Sequence, residues 1–201
     1  MAPKNIKSFE SGMLPSTVWV IDEFGDVFYY DGKHWDIISG KFTHITVGDS
    51  GIFALDKDGY LFKRDGISTM NGRGTEWFEV ADDQLSLVYL ESAPGNLLYG
   101  IDNDGNLLYV STKGREEDLQ DEWQMFQPQQ ANGGSISEGI KSISCGYYSC
   151  FIVTRSGRVF STTSSREPVE KAWLNLEGTL FIDRRFTLRG PRLPLSVVRQ
   201  S

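Results

Sequence analysis

Long apolar segments are missing from this sequence of 201 residues, and so are the usual marks of secretion. No run approaches the roughly 20 apolar residues that a transmembrane helix requires, so we do not expect an integral membrane protein. The first residues hold no apolar core of a secretory signal, and no Asn-x-Ser/Thr glycosylation site occurs. We therefore expect a cytoplasmic protein, with attachment to a membrane surface or release by another route as the alternatives.

Residues that usually carry catalysis are also scarce. His34 and His44 are the only histidines, and each is expected to be a surface or hydrogen-bonded strand residue. The sequence contains no Gly-x-Ser-x-Gly, no phosphate-binding loop and no His-Glu-x-x-His. Acidic residues are plentiful in segments such as 114–123, which are typical of solvated loops. We expect no enzyme activity, no cofactor and no metal site.

Cysteine occurs only twice, as Cys145 and Cys150. Cys145 ends one predicted strand and Cys150 begins the next, so a disulfide would cross the corner between them. Two buried thiols are the expected state in a reducing compartment. Two cysteines without a nearby histidine do not make a zinc site.

Positive charge is in deficit, since the net charge is −7, which argues against nucleic acid as a partner. Residues 184–201 are the exception, with five arginines and no acid, which leaves −12 on residues 1–183. This basic tail is expected to be a flexible extension. The alternatives are a ring-closing strand at residues 195–198 or a contact with a membrane surface or a partner.

Glycine and aromatic residues, by contrast, are abundant and recur in a fixed pattern. Four segments align on one glycine each: Gly25, Gly59, Gly105 and Gly157. The residue six positions earlier is always aromatic: Trp19, Phe53, Tyr99 and Phe151. The residue three positions earlier is Asp in three copies and Thr in the fourth: Asp22, Asp56, Asp102 and Thr154. The residues four positions before each glycine, and two and three positions after it, are apolar in every copy. The pattern indicates an internal repeat.

The Asp-x-x-Gly stretch of each copy has two interpretations, a calcium loop or a hairpin turn. In the second copy, an EF-hand alignment puts Ala54 and Asp65 at the first and twelfth ligand positions, where Ala offers no ligand and Asp is a poor bidentate clamp. Asp and Gly suit a tight turn, and an Asp carboxylate can accept backbone N–H bonds there. We therefore predict a hairpin with a structural Asp.

A tryptophan and a further strand-like run complete each repeat. The tryptophans lie 10, 18, 18 and 16 residues after their glycines: Trp35, Trp77, Trp123 and Trp173. We expect these and the aromatic position of the hairpin to pack between neighbouring sheets. The glycines are 34, 46 and 52 residues apart, and four short strands per unit suit a propeller blade. The predicted fold is all-β, a β-propeller-type array of about four blades. Its predicted domains are a leader at 1–16, repeats at 17–183 and the tail at 184–201.

The segments 14–42 and 42–62 resemble the tectonin β-propeller repeat. The shared features are an Ile-x-Val-Gly strand end, an aromatic residue, the Asp-x-x-Gly turn, an apolar strand and the blade tryptophan. The fourth copy departs from this pattern and also resembles the regulator-of-chromosome-condensation type of propeller. The resemblance implies binding without catalysis. Members include lectins for sugars or bacterial glycans, and intracellular proteins of autophagy and membrane traffic.

Four repeats reach only the lower end of the range of closed propellers. The chain is then a partial propeller, a small closed ring, or part of a ring that another chain completes, and the abrupt end of the pattern favours a partial array. An open array exposes a sheet edge and a blade face, through which self-association would occur.

Two functions follow from these observations. The first is an intracellular module that docks protein or membrane-lipid partners, and the second is a lectin-like protein of innate defence that binds glycans. Inserts at 66–80 and 111–139 lengthen the second and third repeats, either because they carry binding or because loops tolerate insertion. The sequence does not assign the binding residues themselves.

Overall fold

The chain forms β-structure throughout the computed structural model, which describes residues 2–81, 85–113, 119, 123–162 and 171–176. The strands in the first half of the chain are β1 Ile6–Ser11, β2 Val18–Asp22, β3 Asp26–Tyr30, β4 Trp35–Lys41, β5 His44–Gly48, β6 Gly51–Leu55, β7 Leu61–Arg64 and β8 Trp77–Ala81. Those in the second half are β9 Leu87–Ala93, β10 Leu97–Asp102, β11 Leu107–Ser111, β12 Gln124–Phe126, β13 Gln129–Gln130, β14 Ile140–Cys145, β15 Cys150–Thr154, β16 Val159–Thr162 and β17 Lys171–Asn175. The described residues include no helix long and apolar enough to cross a membrane.

The strands form four sheets that follow one another along the chain, which we call blades 1 to 4. Blades 1 to 3 are four-stranded antiparallel meanders that begin with β1, β5 and β9. Blade 4 begins with β14 and gains β13 as a fifth strand, parallel to β17. The first strand of each blade lies beside the first strand of the next, and the sheets fan out from that row. The all-β, propeller-type array predicted from the repeat is confirmed.

The first blade begins earlier than predicted. Strand β1, residues 6–11, pairs with β2 along its length, although the sequence boundary assigned residues 1–16 to a leader. That boundary is wrong, because the first strand of a blade lies outside the hairpin signature and has no glycine or aromatic marker of its own. The basic tail at 184–201 lies outside the described residues.

The Asp-x-x-Gly signature builds the hairpin turn of each blade. In blade 1, one carboxylate oxygen of Asp22 accepts the N–H groups of Phe24 and Asp26, both at 2.9 Å. Asp56 and Asp102 bind the equivalent N–H groups in blades 2 and 3 at 2.8–2.9 Å. The hydroxyl of Thr154 accepts the N–H of Arg158 at 3.1 Å in blade 4. The turn glycines have φ between +80° and +89°, which a side chain would strain: Gly25, Gly59, Gly105 and Gly157.

The hydrophobic cores lie between successive blades. We call the face of a blade toward the next blade its trailing face and the opposite one its leading face. The trailing face of blade 1 and the leading face of blade 2 form one core, which includes Trp19, Ile21, Val27, Tyr29, Phe42, Ile45 and Ile52. The next core joins blades 2 and 3 through Phe53, Leu55, Leu61, Leu87, Leu90 and Leu98. The last joins blades 3 and 4 through Tyr99, Ile101, Leu107, Ile140, Ile152, Phe160 and Trp173.

The four predicted blade tryptophans occupy one register position despite their unequal spacing in the sequence. Trp35 and Trp77 lie opposite the residue five positions after the turn glycine, and the pairs next to Trp123 and Trp173 place these two in the same register. The position belongs to the leading face. Trp77, for example, packs against Phe42 and Trp19 at centroid distances of 4.7 and 6.1 Å. Insertions are therefore absorbed by the loop before the tryptophan.

Cys145 and Cys150 form a disulfide, so the expectation of two free thiols is wrong. The two residues are directly paired at the corner between β14 and β15, with their Cα atoms 4.1 Å apart. In blade 2 the same corner is closed by the apolar pair Val47 and Ile52. Side chains of directly opposed residues are close enough to bond covalently, and the strand pairing brings the two sulfur atoms together.

Candidate binding face

The two ends of the array differ in what they carry. Since the strands alternate in direction, the Asp-x-x-Gly turns all lie at one end. The loops between β1 and β2, β5 and β6, and β7 and β8 lie at the other end, which we call the loop face. Long loops on a rigid scaffold are the usual carriers of binding, so the loop face is the first place to search for a site.

The β7–β8 loop, residues 65–76, belongs to an insert that the sequence marked, and it is folded. Thr75 donates its N–H to the carbonyl of Asp65 at 2.8 Å, which closes the base of the loop. Nε of Arg64 donates to the carbonyl of Arg73 at 2.9 Å. The guanidinium of Arg73 reaches Asp36 of blade 1 at 3.3 Å. The loop is thereby connected to both blades.

A cavity of about 740 Å³ lies between this loop and its neighbours. Its lining combines the β1–β2 loop, the β5–β6 turn and the outer strands of blade 2: Met13, Asp49, Ser50, Gly51, Lys63, Arg64, Asp65, Gly66, Ile67, Phe78, Glu79 and Val80. Met13 and Phe78 are 48% and 44% exposed, so the cavity offers apolar surface to solvent. Its volume is in the range of ligand-binding clefts.

The cavity carries charge of both signs. Arg64 is only 5% exposed, and its guanidinium lies 5.1 Å from the centre of the Trp77 ring. Burial, assisted by Arg73, lowers the pKa of Arg64, but an arginine remains a cation. Its Nη1 atom has no hydrogen-bond partner among the described residues. Lys63 adds a second cation, and the carboxylates on the lining are Asp49, Asp65 and Glu79. Such a lining suits a ligand with apolar and polar parts.

A second polar cluster lies along the row of first strands and connects the blades. Glu91 on β9 accepts the N–H of Cys145 on β14 at 2.6 Å. His44 on β5 is bonded through Nε2 to the carbonyl of Leu90 at 2.8 Å, and its ring packs on Tyr89 at 4.3 Å. The expectation of a hydrogen-bonded strand histidine is confirmed. These contacts satisfy backbone groups at the inner edge of the sheets.

Burial alters the acid–base behaviour of this cluster. It raises the pKa of the Glu91 carboxyl to about 8, against the opposing effect of the Cys145 N–H, and that of Glu10 to about 7. Burial also lowers the pKa of His44, which is therefore neutral at pH 7. Since Glu91 is bonded between blades, its protonation bears on stability.

The free energy of unfolding is expected to fall as the pH rises from about 4.5 to about 8, because of Glu91. Within that window the folded chain holds a proton that the unfolded chain releases, so rising pH favours unfolding. Urea unfolding at several pH values would measure the slope for the wild type and for Glu91→Gln, which keeps a neutral acceptor for Cys145. We expect the variant to lose much of the slope, on the order of 1–3 kcal/mol across the window. An unchanged slope would contradict this role.

None of the repeat-signature residues lines the loop-face cavity. Trp77 comes nearest in sequence, directly before Phe78. Sequence reasoning missed Met13, which it assigned to the leader, and Lys63 and Arg64, which lie outside the repeat columns. The only signal was the insert at 66–80, which marked the region without naming residues.

Comparison with known proteins identifies solved structures that share this fold. No curated protein matches the sequence. Human WBSCR16 matches the structure with a TM-score of 0.57 at 11% identity, over 85% of this chain and 52% of that one. Prp20p of Saccharomyces cerevisiae, the yeast RCC1, matches with a TM-score of 0.52 at 15% identity, over 89% and 52%. YCF48 of Cyanidioschyzon merolae matches with a TM-score of 0.55 at 14% identity, over 87% and 57%.

These identities support the fold alone, and the chain spans about half the length of the solved structures it matches. The match to yeast RCC1 agrees with the second resemblance found in the fourth repeat. The tectonin domain model matches residues 5–182, which includes β1 and all four blades. The chain therefore belongs to the tectonin domain family.

Proposed function

We propose that this chain is a non-catalytic binding module that docks a segment of a partner protein at the loop-face cavity, within intracellular membrane traffic or autophagy. The observation that carries the proposal is the cavity itself, with exposed Met13 and Phe78 beside the cations Lys63 and Arg64. The cellular role rests on the tectonin family, some of whose members serve those processes.

Protein partners have a precedent among the structural neighbours. Prp20p was studied for its binding to Gsp1p and histones, and YCF48 has been solved bound to a D1 peptide. These neighbours share the fold of this chain at 13–15% identity, so they support the class of ligand and not its identity.

Met13, Phe78 and Lys63 of the lining suit a segment with an apolar side chain and a single carboxylate. The apolar group would cover Met13 and Phe78, which gains about 25 cal/mol for each Å² removed from water. A carboxylate would pair with Lys63, while Arg64, which is only 5% exposed, would add its positive charge from behind the lining. Asp49 and Glu79 would select against segments with further acidic residues.

Selection of phage-displayed random peptides on the immobilised chain would test this proposal. The selected peptides are then titrated against the wild type and Phe78→Asp, with Phe24→Asp as the matched control. Phe24 is 69% exposed and lies at the turn end of blade 1. We expect Phe78→Asp to weaken binding about tenfold or more, as a contact residue would, while the control binds like the wild type. Peptides that bind Phe78→Asp as tightly as the wild type would contradict docking at this cavity.

Glycan binding is a second candidate, because three carboxylates and an exposed aromatic ring line the same cavity. The ring of Phe78 could stack on the apolar face of a sugar while Asp49, Asp65 and Glu79 accept its hydroxyl groups. A glycan array probed with the same three proteins separates the two candidates. Saturable binding to one sugar class that Phe78→Asp abolishes would replace the peptide proposal with a lectin-like role in innate defence.

A further inference from the structure

The trailing face of blade 4 is built like the other trailing faces but is not covered by any described residue. The aromatic position six residues before the turn glycine is 0% exposed in Trp19 and Phe53 and 3% exposed in Tyr99. Its equivalent in blade 4, Phe151, is 42% exposed. Leu174 on the same row of the sheet is 49% exposed, which is close to the 44% of its equivalent Phe78 in blade 2, so the difference between the blades lies at Phe151. The same residue type at the same position is thus left open where no following blade is described.

The turn glycines also differ between blade 4 and the other blades in how closely the next segment of chain approaches them. A Cβ atom on Gly105 would lie 2.8 Å from Cα of Gly139, at the entry to blade 4. On Gly25 it would lie 3.1 Å from the carbonyl oxygen of Phe42, which leads into blade 2. A Cβ atom on Gly157 would meet no described atom within 4 Å. Blade 4 therefore keeps the close-approach glycine, with no described chain approaching it.

The leading face of blade 1 is open along its first strand, β1. Phe9, Val20, Phe28 and Ile37 lie directly opposite one another across all four strands. The two central residues are buried, with 1% exposure for Val20 and 7% for Phe28, and Ile37 is 62% exposed, much like its equivalent Met125 in blade 3 at 57%. Phe9 is the residue that differs, because it is 66% exposed whereas its equivalents Ile45 and Leu90 are 0% exposed. In blade 4 the equivalent leading row is packed against blade 3, with exposures of 1% or less for Ile143, Ile152 and Phe160.

We propose that the trailing face of blade 4 packs on the leading face of blade 1 of a second copy of this chain, head to tail. This contact goes beyond the proposed binding function and leaves the loop-face cavity in place. It repeats the contact that already joins blades 1 to 2, 2 to 3 and 3 to 4 within the chain. A second copy is the favoured occupant because one chain carries both halves of that interface.

Symmetry allows two copies to satisfy every open face. If the trailing face of each copy covers the leading face of the other, a two-fold axis relates them and the ring closes. The described residues of two copies supply eight sheets, within the usual range for closed propellers of about four to eight blades. This chain covers about half the length of the solved propellers it matches, so two copies have about the length of one such propeller. In the closed ring, Ile6 of one copy would approach Gly157 of the other as Phe42 approaches Gly25.

Sedimentation velocity of the full chain, with two variants and their mixture, tests the proposal. The leading-face variant carries Phe9→Glu and Ile37→Glu, and the trailing-face variant carries Phe151→Glu and Leu174→Glu. Met70→Glu is the matched control, since Met70 is 95% exposed on the β7–β8 loop. Circular dichroism checks that each protein is folded, as expected for substitutions at exposed positions.

We expect a two-copy species for the wild type and the control, and self-association weakened about tenfold or more in each variant. The mixture of the two variants should regain a two-copy species, because the intact trailing face of one fits the intact leading face of the other. A monomeric wild type would overturn the proposal. So would a trailing-face variant that dimerises like the wild type, which indicates an isologous contact, or a mixture that stays monomeric.

Discussion

Replacing Phe53 with alanine is expected to lower the free energy of unfolding by about 3–5 kcal/mol, the usual cost of emptying a buried phenylalanine site. Phe53 is 0% exposed and lies in the core between blades 2 and 3. Its ring is held between two sheets, each fixed by its own hydrogen bonds, so the surroundings cannot collapse far into the space. Chemical unfolding followed by tryptophan fluorescence at submicromolar protein measures the change with little contribution from self-association.

Phe151→Ala is the matched control for that substitution, because it removes the same side chain from the same position of the repeat. Phe151 is 42% exposed, so its removal forms no enclosed cavity and is expected to cost about 1 kcal/mol or less. Equal losses for the two variants would contradict the assignment of blade 4 as the open end of the array.

Replacing Gly105 with alanine is expected to destabilise the chain by about 2–5 kcal/mol, from backbone strain and overpacking together. The residue has φ of +88°, where an L-residue costs roughly 1–2 kcal/mol. The new Cβ would lie 2.8 Å from Cα and 3.1 Å from the carbonyl carbon of Gly139. Backbone atoms cannot rotate away as a side chain can, and Ile140 donates to the Gly105 carbonyl at 2.8 Å, so the two segments cannot separate without losing that bond.

The Gly157→Ala variant separates the cost of backbone strain from the cost of overpacking. Its φ of +89° is nearly identical, but no described atom lies within 4 Å of the new Cβ. Its expected cost is the backbone strain alone, about 1–2 kcal/mol. The difference between the two variants, measured by the same unfolding assay, reports the contact between blades. A Gly157→Ala variant as unstable as Gly105→Ala would show that blade 4 is also covered.

The hairpins could be predicted because their causes are local. In three blades, the turn Asp accepts the N–H groups of the residues two and four positions later: Asp22, Asp56 and Asp102. Five consecutive residues are therefore enough to specify the turn. Strand alternation then assigns each apolar residue to a face. The positions of the blade tryptophans could also be predicted from the sequence. An insertion before the fourth strand of a blade lengthens the preceding loop and does not alter the register of that strand.

Contacts between distant segments could not be predicted in this way. Strand β1 carries no turn signature, and only its pairing with β2 shows that it belongs to blade 1. The loop-face cavity joins Met13 to Lys63 and Phe78, which are far apart in sequence and outside the repeat pattern. The disulfide depended on the exact pairing of Cys145 with Cys150, whereas the sequence showed only that they flank a corner.

The sequence by itself determined where the chain turns and which face of each sheet is apolar, because turns and strand alternation depend on neighbouring residues. It could not determine which apolar face is covered. Phe53 and Phe151 share a residue type, a repeat position and a strand environment, yet one is fully buried and the other is 42% exposed. Burial depends on the sheet that packs opposite, so only the tertiary structure decided which blade faces are closed and where a partner could bind.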